Sequence, residues 1–509
     1  MTHPPPGPRA TRREWIGLAV IALPCLVYAM DLTVLNLALP ALSAELKPSS
    51  AQLLWIVDIY GFLVAGFLIT MGTLGDRLGR RKLMLIGAAA FGLASAAAAF
   101  ARSAEMLIFW RAVLGIAGAT VAPSTMSLIR NMFHDEQQRR FAIGVWIASY
   151  SVGGAIGPLV GGVLLQFFHW SAVFWLAVPV MGLLLLLGPA LLPEYRDRQA
   201  GRIDAASVVL SLGAVLATIY GLKQTAEHGP SLVPLGIAAL GIALAITFVR
   251  RQRRLAYPLL DLALFRTPTF GAAIAAYALS CLAMMGVYIF ITQYLQGVLG
   301  LTPLEAGLVT LPWGIGFVAG SLLAPKLAQR VPPLAILVWG LVAGAIGMLL
   351  LVPADGRFAL PLMIASMVVM SLGMAPVFTI GNELIITAAP PQRAGAASAL
   401  SETSAEFSGA LGIAVFGSVG MALYRGRLAA AMPAGLPADA ERAAAATLGG
   451  ALAAADAAAG PAGAALQAAA RAAFGDALQL TAALGTVVVI VAAVLAARIG
   501  RERVVAQGA

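Results

Sequence analysis

Fourteen long apolar stretches run through this chain, and almost every charge lies between them. A helix of ~20 apolar residues crosses a bilayer core. Without water to satisfy the backbone, a segment in lipid must be helical or part of a closed barrel. At that length the stretches would use about 280 of the 509 residues. They lie at about 15–38, 52–73, 83–101, 105–128, 141–165, 171–192, 205–223, 231–250, 270–292, 303–325, 332–352, 358–380, 395–424 and 476–497. The expected fold class is therefore all-α and polytopic, with 14 transmembrane helices. A 60% hydrophobic, 11% charged composition and a mean hydropathy of +0.89 set the chain outside soluble norms.

The formal charge of +10 invites a nucleic-acid reading, but its distribution does not support one. With the N-terminus inside, cytoplasmic segments hold 24 of the 33 Lys and Arg, external segments hold eight, and Arg111 is embedded. Four of the external eight (Arg425, Arg427, Arg442, Arg471) belong to one long loop, where the positive-inside rule is weak. The basic excess is topogenic, no nucleic-acid partner is expected, and both termini are expected in the cytoplasm. The first span is too long for a signal-peptide core and is read as retained.

Six spans precede and six follow a central pair. The expected organisation is a tail (1–14), a six-helix half (15–192), an inserted pair with its flanks (193–269), a second half (270–497) and a tail (498–509). Within the second half, 425–475 reads as an external Ala-rich hairpin of two helix-prone arms, 438–456 and 462–474, split at Gly460-Pro461. Cys25 and Cys281 fall inside spans, and His3, His134, His169 and His228 are scattered outside them. Neither a disulfide, a metal site nor a cofactor is expected.

Five ionisable residues break the rule that charge stays outside the spans: Asp31, Asp58, Arg111, Glu402 and Glu406. Each costs at least ~2.5–3.5 kcal/mol on insertion scales, so such residues usually serve a pathway, a proton relay or a partner. On this topology Asp31, Asp58 and Arg111 come to one depth, ~10 Å below the outer interface at 1.5 Å per residue. Arg111 can then pair with one aspartate, leaving the other as a proton or cation site; Asp31 is the first candidate. Glu402 and Glu406, one helical turn apart, share a face nearer the cytoplasmic side, and two adjacent carboxylates there cannot both ionise cheaply. Of the aromatic residues near these depths, Trp55 and Tyr60 flank Asp58, Phe407 follows Glu406, and Asn36 lies near Asp31. These four are the candidate substrate cavity, since ring faces attract cations by ~0.5–2 kcal/mol. Two acids read differently: Thr302-Pro303-Leu304-Glu305 is a capping box, and Asp204 is a helix cap.

Three motifs connect these residues to a known family. Between spans two and three stands Gly72-Thr-Leu-Gly-Asp-Arg-Leu-Gly-Arg-Arg-Lys-Leu-Met-Leu85. It reads as a tight turn at Gly75 and Gly79 that holds Asp76, Arg77, Arg80 and Arg81 at the membrane face. Span five carries Gly153-Gly154-Ala-Ile-Gly157-Pro158-Leu-Val-Gly161-Gly162, in which small residues permit close helix approach and Pro158 bends the span. Span four carries Leu107-x-x-x-Arg111-x-x-x-Gly115-x-x-Gly118-Ala119. Together these resemble the loop signature, the antiporter motif and the embedded-arginine motif of the major facilitator superfamily, with Leu114 at a position commonly Gln. Met30-Asp31 through Pro40, Trp55-x-x-Asp58-x-Tyr60 and Ser401 through Gly409 resemble the fourteen-span drug:proton antiporters, in particular the quaternary-ammonium exporters of QacA and SmvA type.

The resemblance implies a fold of two six-helix halves, a loop that latches those halves in one state, and an antiporter role for the span-five glycines. It also implies proton-coupled export of small hydrophobic cations across the inner membrane by alternating access. Protons, such cations and membrane lipid are the expected partners, and a monomer is the expected state. The alternative on the same fold is an exporter of an endogenous metabolite or siderophore. A membrane-embedded enzyme is disfavoured because no His/Asp/Glu constellation gathers at an interface. A proton-driven importer is disfavoured by the span-five pattern.

Overall fold

The computed structural model describes residues 8–46, 48, 50–196, 204–228, 231–255, 258–260, 262–266, 268–354, 356–389, 394–434, 436–458 and 460–508. Among them all regular structure is helical. The first group comprises α1 (Arg12–Leu46), α2 (Ser50–Leu78), α3 (Arg80–Ala99), α4 (Ala104–Gly118), α5 (Val121–Met132), α6 (Glu136–Phe167), α7 (Ala172–Trp175) and α8 (Ala177–Leu191). Next come α9 (Ala205–His228) and α10 (Leu232–Gln252). The last group holds α11 (Pro268–Gln293), α12 (Pro303–Leu327), α13 (Pro333–Leu349), α14 (Ala359–Ala388) and α15 (Ala394–Ala430), then α16 (Ala438–Ala446), α17 (Leu448–Ala458) and α18 (Gly460–Gly508).

Twelve stretches among the described residues are long and apolar enough to cross a membrane. They coincide with twelve of the fourteen expected spans, α4 with α5 forming one continuous stretch and α7 with α8 another. The two remaining expected spans correspond to α6, of 32 residues, and to α13, of 17.

In the first group α1 packs on α6, α2 on α4, and α3 on both α4 and α8. In the last, α14 packs on α12 and α13, while α11 packs on α15 and α18. The groups meet where α2 and α5 touch α15 and where α6 touches α12. The pair α9–α10 packs on itself and docks through α9 against α2 and α15, covering one of those seams. Close approach at α1–α6 depends on glycine: a Cβ at Gly153 would stand 2.3 Å from the Leu26 carbonyl oxygen.

Caps fall where the sequence places them. The Thr302 hydroxyl accepts from the Glu305 amide while the Glu305 carboxylate accepts from the Thr302 amide at 2.8 Å. Asp204 accepts from the Ser207 amide at 3.0 Å and also takes both Arg251 nitrogens, at 2.6 and 2.9 Å. The Arg251 hydrogen bonds hold the Asp204 carboxyl well below the usual carboxylate range.

The Ala-rich segment departs from expectation. Its first arm breaks at Thr447 into α16 and α17, and its second, 462–474, is the opening of α18. Gly475 does not interrupt that helix, with the strong helix formers Ala472, Ala473, Ala477 and Leu478 close on either side, so arm and final span form one 49-residue helix.

Candidate functional site

Arg111 enters the core from α4 with its side chain 1% exposed. Its Nη1 donates to Asp31 Oδ2 of α1 at 2.5 Å, its Nε donates to the Ile56 carbonyl of α2 at 3.1 Å, and its guanidinium lies 4.7 Å from the centre of the Tyr60 ring. A cation this deep is tolerable because its donors are occupied and a ring face covers the rest. Tyr60 is fully buried and lies against Tyr28 and Phe91. It serves as a platform for Arg111. The side chains of Asn36, Asp58, Pro158 and Gly162 lie outside the described residues.

Glu402 and Glu406 project from α15 toward the seam between the groups. Glu402 lies within electrostatic reach of Cys25, Tyr28 and Tyr150 on one side, and of Tyr277 and Cys281 on the other. Glu406 also lies within electrostatic reach of Tyr28, Tyr60 and Tyr277. Glu402 lies within side-chain hydrogen-bonding reach of Asn382 on α14, and the buried hydroxyls of Ser398 and Thr403 on α15 have no hydrogen-bond partner. Orphaned buried polar atoms cost ~1–3 kcal/mol each.

Trp55 and Phe407 take other positions. Trp55 stacks on Tyr220 of α9 with centroids 6.0 Å apart, and Phe407 packs with Ile219 and Tyr220 in the same seam. Neighbouring positions on a helix are turned by ~100°, so the residue after Glu406 points away from it.

At the face bearing both described chain ends, the turn residues form a compact cluster. Gly79, with φ +108°, makes the turn alone. Gly75, expected to share it, stays helical in α2, where a Cβ would meet Arg80 Nη1 at 2.6 Å. Buried Arg80 pairs with Asp76 one turn earlier. Glu194, after α8, accepts from the Arg81 and Lys82 amides at 3.2 Å each and so caps α3; Arg81 Nη1 donates to the Pro189 and Leu192 carbonyls at 3.0 Å. These contacts lie inside the first group. Gly72 and Gly79 are buried and Arg77 half-buried in the same cluster.

Bridges that do cross between the groups lie nearby. Arg140 at the start of α6 holds Glu383 of α14 through Nε at 2.9 and 3.1 Å and donates to the Ala328 carbonyl at 3.2 Å. Arg139 approaches Glu383 at 3.9 Å, and Arg130 of α5 donates to the Ala389 carbonyl at 2.9 Å and to that of Ile386. Sequence reading missed this set because the twelfth span was ended at Ile380, which made Glu383 interfacial. The apolar run Leu384-Ile385-Ile386 shows where α14 continues.

Residues 21–413 match the family model of the Major Facilitator Superfamily. The chain belongs to that superfamily. A transporter of this superfamily it resembles, the multidrug efflux pump LfrA of Mycolicibacterium smegmatis, is 45% identical over 485 residues, 95% of this chain and 96% of the relative. The methyl viologen resistance protein SmvA of Salmonella typhimurium is 35% identical over 410 residues, 80% of this chain and 82% of its own. Among solved structures of major facilitators, the human organic anion transporter MFSD10 (TETRAN) superposes with a TM-score of 0.60 at 15% identity, over 96% of this chain and 100% of that one. That likeness bears on the fold. As a major facilitator the protein is a multi-pass membrane transporter.

Proposed function

We propose that this transporter expels hydrophobic, quaternary-ammonium-like cations in exchange for protons, with Glu402 and Glu406 as the place where proton and cation compete. The observation that carries the reading is this pair of like charges between the groups, surrounded by orphaned polar atoms. A proton or a bound cation removes the repulsion and the buried-charge cost, and each excludes the other. Asn382 lends its amide oxygen to whichever occupies the site. Asp31, locked to Arg111, couples the outer half of α1 to α4. Losing the pair on protonation would free Arg111 and bias the next conformation.

In this reading fourteen helices cross the inner membrane, α6 and α13 included, with both termini cytoplasmic, the 425–475 segment external, and the protein working as a monomer. The two groups are the two rocking halves, and the Arg130–Arg140 bridges to α14 hold the cytoplasmic side closed. Gly153, Gly157 and Gly161 keep α6 sliding closely on α1. The turn around Asp76 and Arg80 braces one half as it moves. The names of LfrA and SmvA support the multidrug and cationic character.

The test is retention of a permanently charged lipophilic dye by energised cells expressing the protein. Dye should be low, and should rise to the level of empty cells on adding a protonophore. Dye exclusion that survives the protonophore, or none at all, would defeat the exchange mechanism.

A further inference from the structure

Between α9, α10 and α15 lies a groove of about 490 Å³. Its walls include Thr218, Ile242 and Ile246, its inner end is Phe407, and Arg250 and Arg253 stand at its mouth. From Ile242 to Arg250 is eight residues, ~12 Å along a helix, comparable with the ~15 Å depth of one leaflet's hydrocarbon. Ile242 and Ile246 are 53% and 48% exposed, as expected of surface that meets an acyl chain.

The mouth is built unevenly. Arg251 is locked to Asp204, and Gln252 bridges the Ser207 hydroxyl at 2.8 Å and the Leu259 amide at 2.7 Å. Arg250 and Arg253, three positions apart and so on one face, are exposed, and their guanidinia make no ion pair or hydrogen bond among the described residues. Two free guanidinia converge on an apolar slot beside one guanidinium and one amide that are spoken for. Guanidinium forks suit phosphate, and basic pockets between membrane helices attract anionic headgroups. A hydrophobic cation, the expected cargo, would be repelled here.

We propose that this groove holds an anionic glycerophospholipid, its phosphate on Arg250 and Arg253 and an acyl chain laid along Ile242 and Ile246 to Phe407. The lipid then fills the seam between the inserted pair and α15, and its loss leaves that helix less firmly supported beside Glu406. The site depends on the bundle and on the charge of the headgroup, and it stands whether or not the cargo is a cation.

Native mass spectrometry of the full-length protein, purified from vesicles of phosphatidylethanolamine and phosphatidylglycerol, provides the test, with chain-matched phosphatidylcholine as competitor. The parent should retain phosphatidylglycerol in preference, and Arg250→Gln/Arg253→Gln should lower that retention roughly tenfold or more. Ile246→Trp, which fills the slot and keeps both charges, should also lower it, and added inorganic phosphate should not displace the lipid. Equal retention of the two lipids by the parent, or undiminished retention in both variants, would show that these arginines only set topology. Displacement by inorganic phosphate would reduce the site to an ion site and overturn the lipid assignment. Should the double variant fail to insert, Ile246→Trp still decides the matter.

Discussion

Arg111 with Asp31 and Glu402 with Glu406 are both embedded charges, but their surroundings are opposite. The first pair is neutral in sum, hydrogen-bonded to the backbone of α2 and covered by the Tyr60 ring. The second is two carboxyl groups of like sign on one helix, with no cation paired to them among the described residues and unpartnered buried hydroxyls beside them. A satisfied pair gives a bundle rigidity and a fixed geometry. An unsatisfied one stores a demand that a proton or a cation can meet. This contrast is what supports the proposal that cargo and proton exchange at the α15 glutamates while the α1–α4 pair positions the helices.

The largest effect expected of a single substitution tests the closed pair. Asp31→Asn leaves a buried guanidinium uncompensated, at a cost of ~3–5 kcal/mol, and should lower the melting temperature and stop coupled efflux. Adding Arg111→Gln should restore the melting temperature but not efflux. If the double variant regains transport, the pair is structural only. If Asp31→Asn alone transports normally, the pair has no part in the transport cycle.

A smaller effect is expected at the bridges between the groups. Glu383→Gln weakens the anchor of Arg139 and Arg140 and should shift the balance toward the state open on the terminus-bearing face by ~1–3 kcal/mol. Distances between spin labels on the ends of α6 and α14 would report it as a broadened, longer population. An unchanged distribution would remove these bridges from the gating account.

The smallest effect is expected at the α2–α3 turn. Asp76→Asn should slow transport while leaving equilibrium cation affinity within a few-fold, since Arg80 keeps its place under Gly75. A large loss of affinity in detergent would mean that the turn shapes the site itself.

Twelve of the expected spans were legible because a bilayer demands ~20 apolar residues, a signal that needs no tertiary information. The pairing of Arg111 was legible as well, because depth follows from counting residues along helices that start at opposite faces. Facing was less so. Trp55 and Phe407 were judged by neighbours in sequence, whereas α9 decides which rings are drawn into the seam. Gly75 looked like a turn residue, yet it is needed for the guanidinium of Arg80. Asn382 and Glu383 were hidden at the end of a helix whose length was set by hydropathy alone. Glu194 lies in a polar segment without periodicity, and its capping role depends on a helix distant in sequence.

The most direct test of the central claim is proton release on cation binding, measured in weakly buffered detergent solution with a pH indicator and a divalent quaternary-ammonium ligand. The parent should release protons when the ligand binds and should lose affinity as pH falls, because protons occupy the same carboxylates. Glu402→Gln/Glu406→Gln should release none, should bind with affinity independent of pH, and should weaken divalent ligands more than monovalent ones. Proton release and a pH profile equal to the parent's in that double variant would contradict the account.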